Sequence, residues 1–237
     1  MKLLRFVDCN LSGEESSSSR GGRDVAGTTP RLRADARRNR DLIVTAAQRL
    51  FLEQGIDVPL DEVARQAGVG IGTLYRRFPD RDALLRAVAE DTLRRLADLV
   101  EAARREEPDA WHALCRFLRS CAELRLGELA ARLDPHLHRQ MRTGQDLDEI
   151  RQRVIATVLE LAARAQADGA LRADAGPLDI AMLMTLHVYA PANVSGDQAM
   201  RRMVDIMLDG LRAGGGAVLP GAPSTDVDLR RYTAVEP

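Results

Sequence analysis

Lysine is nearly missing from this 237-residue chain: Lys2 is the only one among 34 basic residues, and the rest are arginine. That bias fits a GC-rich genome rather than a mechanism. Aromatic residues make up only 3%, so any core must be aliphatic, built from Leu, Ala, Val and Met. Cysteine is scarce and odd in number. Cys9, Cys115 and Cys121 follow no metal-ligand spacing, which leaves free thiols in a reducing cytosol as their expected state. No long apolar run is present either. The longest, residues 180–192, is interrupted by Thr185, His187 and Pro191 and is too short to cross a bilayer. No secretory leader is visible, so the expectation is a soluble, cytoplasmic protein with no membrane partner. Catalytic patterns are missing as well: there is no glycine-rich phosphate loop, no Ser/His/Asp arrangement and no paired metal ligands. His112, His136, His138 and His187 are the four histidines. The pair His136-x-His138 finds no acid or thiol to complete a set. The expectation is no enzyme, no cofactor and no metal.

What is present is a local concentration of charge. The net charge of −1 argues neither for nor against a polyanionic partner. From residue 30 to residue 81, however, ten arginines stand against seven Asp and Glu. Positive charge gathers there, as attraction to phosphates requires. Within this region residues 60–78 read LDEVARQAGVGIGTLYRRF. Val63 and Ala64 give a first helix an apolar side and Ala67 closes it. Gly68 follows where the chain must turn sharply, a place that favours glycine. Val69 plugs the corner. A second helix over residues 71–78 then turns Leu74 and Phe78 inward, four residues apart. Gly70, Gly72, Thr73, Arg76 and Arg77 are left outward. This is the pattern of a helix-turn-helix, whose second helix is small, hydroxylated and cationic on its exposed side and fits a DNA major groove.

Prolines and glycines cluster at the ends and between periodic stretches, which predicts an all-α chain. A first helix is expected over residues 35–54, with Ile43, Ala46, Ala47, Leu50 and Phe51 on one face and Gly55 ending it. Pro59, Asp61 and Glu62 suit the start of the second helix. Asp80 is placed to cap a fourth, which runs to about residue 105 with Leu85, Val88, Leu96, Leu99 and Ala103 inward. Pro108 opens another, carrying Trp111, Leu114, Cys115, Leu118 and Ala122 in period. A broken region follows around residues 127–144. Helices are then expected over residues 146–167, 177–190 and 197–213. The predicted domains are a disordered basic tail (1–34), a three-helix helix-turn-helix domain (35–84), a larger helical body for ligand binding and dimerisation (85–213) and a disordered tail (214–237).

Residues 37–85 resemble the DNA-binding domain of the TetR (tetracycline-repressor-like) transcriptional regulators. The resemblance rests on AAQRLFLEQG (46–55), LDEVARQAGVGIGTLYRRF (60–78) and PDRDALL (79–85), in the family's order and spacing. It covers about a fifth of the chain. It implies that the Thr73 and Tyr75 hydroxyls bond phosphate oxygens, and that Arg81 supplies a basic phosphate contact. It also implies that Gly70, Ile71 and Gly72 lie where bases are read. Two glycines are poor base readers, but they let the backbone come close, and Ile71 suits a thymine methyl. Arg76 and Arg77 suit phosphate or guanine edges. Arg31, Arg33, Arg37, Arg38 and Arg40 precede the head. Two readings stand for them: an arm along the phosphate backbone or minor groove, with Arg37 and Arg38 foremost, or a solvated basic flank.

The resemblance further implies a homodimer built from the last two long helices, released from DNA by a small-molecule effector. The broad apolar faces of residues 178–190 and 198–211 ask for the same partner. Leu178, Met182, Leu186, Met200, Met203, Met207 and Leu211 are the expected interface, against the alternative of burial within the monomer. Trp111, Phe117, Met141, Met182 and His187 are candidates for an apolar effector pocket, against ordinary core packing. The resulting expectation is a dimeric repressor of an inverted-repeat DNA operator. A ligand-independent DNA-binding protein, a protein-interaction module and a small helical enzyme are the competing classes.

Overall fold

The computed structural model describes residues 28–125, 145–186, 195–214, 216–225 and 227–228. Eight helices are found among the described residues. In chain order these are α1 (Thr28–Gln54), α2 (Leu60–Gln66), α3 (Ile71–Arg77), α4 (Arg81–Glu106), α5 (Ala110–Glu123), α6 (Gln145–Ala167), α7 (Pro177–Met184) and α8 (Gly196–Gly210). The all-α expectation holds. The chain divides into two units, Met1–Arg37 and Arg38–Pro237. In the first, α1 already runs from Thr28, ahead of the expected start at residue 35. Pro30 does not prevent this, because a first-turn residue has no intrahelical N–H bond to lose. Residues 1–27, and Cys9 with them, lie outside the described residues.

The second unit holds two apolar clusters. In the first, α1 contributes Ile43, Val44, Ala46, Ala47, Leu50 and Phe51, and α2 contributes Leu60, Val63 and Ala64. Leu74 of α3, then Phe78, then Leu84, Leu85, Ala87 and Val88 of α4 complete it. Local chemistry sets each join. Ala67 caps α2, Gly68 stands at φ +67°, its N–H donates to the Arg65 carbonyl, and the Val69 N–H donates to the Ala64 carbonyl. This pair of bonds is a Schellman turn, which satisfies carbonyls that the helix end leaves open. Asp80 caps α4 as expected: its carboxylate accepts from the Ala83 N–H at 2.7 Å.

Helix α4 belongs to both clusters. Beyond Val88 its inward face continues through Leu96, Val100 and Ala103 into the second cluster, where α5, α6, α7 and α8 pack. The cap of α5 is Asp109 rather than a start at Pro108: Asp109 accepts from the His112 N–H at 2.9 Å. Phe117 and Leu114 of α5, with Val158 and Leu161 of α6, form the centre of this body. Burying one such aliphatic or aromatic side chain contributes about 1.5–3 kcal/mol, so this aliphatic core needs few aromatics. A second Schellman turn closes α6 at Gly169.

Three expected boundaries need correction. Helix α7 stops at Met184, not at residue 190, because Thr185 leaves helical geometry at φ −110°, ψ 19°; residues 187–194 lie outside the described residues. Helix α8 stops at Gly210, short of residue 213. The stretch expected to be a loose tail folds back in its described part. Arg172 donates to the Ala217 carbonyl at 2.7 Å, Asp174 accepts from the Leu219 N–H at 2.8 Å, and the Leu178 N–H donates to Ser224 Oγ at 3.0 Å. Two donors and an acceptor of the body thus hold residues 217–224.

Candidate nucleic-acid interface

Helix α3 is short, and its polarity is divided sharply. Leu74 is its only buried residue. Ile71 and Tyr75 are large and apolar, yet 43% and 51% exposed. Arg76 and Arg77 are exposed beside them, and Thr73 is half-buried. An exposed isoleucine and tyrosine next to two guanidiniums make a surface with both apolar and cationic contacts to offer, as a DNA groove edge requires. Arg76 Nη2 donates to Thr73 Oγ1 at 3.0 Å, so the two polar groups lie one turn apart on a shared face. Gly70 caps α3 in ordinary extended geometry, and no protein atom lies within 4 Å of where a Cβ would stand at Gly70 or Gly72. Nothing inside the protein requires glycine at either position. The helix start is left flat and open.

Two other arginines of the head are engaged with the protein itself. Arg65 is ion-paired to Glu62 on α2, and Arg40 of α1 bonds Glu90 of α4 at 2.9 Å. Arg38 is exposed, and so is Arg37; Arg31 and Arg33 fall where side chains are not described. Arg81, expected at a phosphate, has partners inside the protein. Its Nη1 donates to the Val58 carbonyl at 2.8 Å and also to the Ile56 carbonyl. The reason is local: the loop between α1 and α2 presents two carbonyls to a cation standing at the first turn of α4. Residue spacing alone held no signal for this bond, which joins positions 23 and 25 residues apart.

Three of the expected effector-pocket residues lie among the described residues. Trp111 and Phe117 are buried in the body core, with Arg212 stacked over the Trp111 ring at 5.5 Å. Met182, by contrast, is 56% exposed. Phe117 packs in the core, where α5 buries it with Leu114, Leu118 and Cys121. Met141 and His187 lie outside the described residues, as do His136 and His138. Cys115 and Cys121 are free thiols inside this core, and burial pushes the Cys115 thiol up to about 11.

The expected dimer residues also separate. Met200 and Leu211 are buried in the protomer's own core with Val204 and Leu208. They share the inward phase of α8, as the alternative of burial within the monomer has it. Met203 and Met207 are half-buried, Leu178 and Leu186 are half-buried, and Met182 stays exposed. Sequence reasoning missed Ile206, which is 53% exposed on α8. No described helix is long and apolar enough to cross a membrane.

Comparison with known proteins places this arrangement. A profile of bacterial regulatory proteins of the tetR family matches residues 43–88. A profile of the C-terminal domain of SbtR-like transcriptional regulators matches residues 109–213. The crystal structure of a TetR transcription regulatory protein from Mycobacterium vanbaalenii is similar over 77% of this chain and 99% of its own, at 36% identity and TM-score 0.55. That of a TetR transcriptional regulator from Streptomyces coelicolor is similar over 74% of this chain and 99% of its own, at 32% identity and TM-score 0.54. An HTH-type transcriptional regulator of Staphylococcus aureus (strain USA300) is 41% identical over 54 residues, which are 22% of this chain and 29% of the relative's length. This chain therefore spans less than a third of that curated relative. Two profiles in series, and two solved relatives matched over almost their entire length, carry the assignment: the chain belongs to the TetR family of helix-turn-helix, DNA-binding transcriptional regulators.

Proposed function

We propose that this protein is a dimeric repressor that reads an inverted-repeat operator through α3 and leaves it when a small apolar effector binds the helical body. The observation that supports the reading best is the exposed side of α3. Ile71 and Tyr75 stand in solvent beside Arg76 and Arg77, although the head has an apolar core that would otherwise shelter them. Such exposure has a use when a groove covers it. Two-fold pairing would set the two α3 helices about 34 Å apart, or at a multiple of that, on one face of the duplex.

The pairing face we assign to the outer flank of α8. Ala199, Met203, Ile206 and Gly210 recur there at helical spacing, with Met207 beside them. Met182 and Leu178 of α7 supply further apolar area. An exposed stripe of this composition suits an isologous contact, in which the same patch serves both copies. The effector reading is supported by the family alone, because Trp111 and Phe117 are packed as core.

The test is a fluorescence-anisotropy titration of duplexes from the gene's own upstream region. Arg76→Ala and Arg77→Ala are each expected to weaken binding by about tenfold, with both variants still folded. Affinity for the wild-type site should fall steeply with salt, because neutralised phosphates release counterions. Unchanged affinity in both variants would remove α3 from the interface.

A further inference from the structure

Arg81 stands where its charge is poorly placed. It is the first residue of α4, at the positive end of the helix dipole, where anions are favoured and cations are not. Asp80 as the cap and Asp82 in the first turn offset part of that cost. The guanidinium itself turns away from the helix and toward the loop between α1 and α2. There its Nη1 bonds the carbonyls of Ile56 and Val58, and the residue is half-buried. The loop leads directly into Pro59, the cap of α2, and α2 carries α3 through the Gly68 turn. Arg81 therefore connects the start of α4 to the front of the helix-turn-helix by a charge-assisted bond, the strong kind. The Arg40–Glu90 pair ties α1 to α4 farther along the same helix, so α4 holds the head at two points.

We propose that Arg81 is a positioning residue for DNA recognition: it fixes α2 and α3 against α4 through the Ile56 and Val58 carbonyls and does not act as a phosphate contact. The role rests on the DNA-binding reading above. Loss of the bond frees the 55–59 loop, and α3 then samples orientations that fit a groove less well, so affinity falls without any loss of charge at the DNA surface.

The experiment uses the full chain and compares wild type with Arg81→Ala and Arg81→Gln. Glutamine is neutral and keeps an amide N–H donor, on a side chain too short to reproduce the Nη1 bonds. At a temperature where circular dichroism shows all three folded, Arg81→Ala is expected to weaken binding of the upstream duplex by roughly tenfold. The slope of log affinity against log salt should stay that of wild type in both variants. A lost phosphate contact would instead lower the slope by about 1; that result, or unchanged affinity in Arg81→Ala, overturns the proposal. Hydrogen exchange supplies a DNA-free readout. Amides of residues 56–78 should exchange faster in Arg81→Ala while those of α5 and α6 hold. Unchanged exchange in residues 56–78 also overturns the role of Arg81, whereas a wild-type protein that binds no upstream duplex counts against the operator reading alone.

Discussion

Gly72 is exposed on α3, has an ordinary backbone, and meets nothing of the protein where a side chain would begin. Alanine in its place should therefore fold at least as well, with a gain of roughly 0.5–1 kcal/mol from its better helix propensity. Yet the added methyl would stand at the surface that faces the proposed groove. Gly72→Ala is thus expected to raise the melting temperature slightly and to weaken duplex binding, a pairing that ordinary destabilisation cannot produce. Thermal unfolding and anisotropy on the same preparation check it; equal affinity would mean that the DNA backbone does not approach here. Tyr75 and Ile71 carry the complementary lesson. Helical phase placed Leu74 and Phe78 inward, but the outward set it gave left out both of these residues, which the structure exposes.

Helix ends were legible wherever their chemistry is local. Asp80 and Gly68 announce a cap and a turn within three residues of the groups they satisfy, and both expectations held. Arg81 and the folded-back stretch 217–224 were not legible, because their partners lie more than twenty residues away and only the assembled fold brings them together. The inward phase of α8 was half legible: its period was clear, but four residues of that stripe pack inside the protomer and only its flank remains outside. The cap of α5 offers a prediction of its own. Asp109 receives the His112 N–H and lies beside the His112 ring, contacts that hold its carboxyl below 3.8, the ordinary value. Asp109→Ala should cost about 1 kcal/mol at neutral pH. A lowered folded-state pKa gives stability that is present above the unfolded value and is lost as pH falls through the folded one. The melting curves of wild type and variant should therefore converge as pH drops below about 3.8, the unfolded value. A gap that persists at the lowest pH would exclude the carboxylate as its source.

At the scale of the whole molecule, the proposed pairing through the apolar flank of α8 is open to a direct test. Placing a charge at Ile206 should separate them, since a buried unpaired carboxylate is far costlier than a solvated one. Ile206→Asp is expected to elute as a monomer in size-exclusion chromatography with light scattering, to keep its helical content, and to lose most of its affinity for a two-half-site duplex. A variant that remains dimeric would move the pairing face elsewhere. The same substitution should leave the weak, sequence-independent affinity of a single head almost intact.

Helix α4 is one unbroken rod of 26 residues whose two halves are embedded in different cores. At 1.5 Å per residue it is about 39 Å long. A tilt of about 10° around its middle would carry each tip some 3–4 Å, more than the tolerance of a hydrogen bond to a base edge. The body therefore holds mechanical leverage over the head whether or not any pocket exploits it. Val100 and Ala103 lie on the same rod as Leu84 and Leu85 of the head.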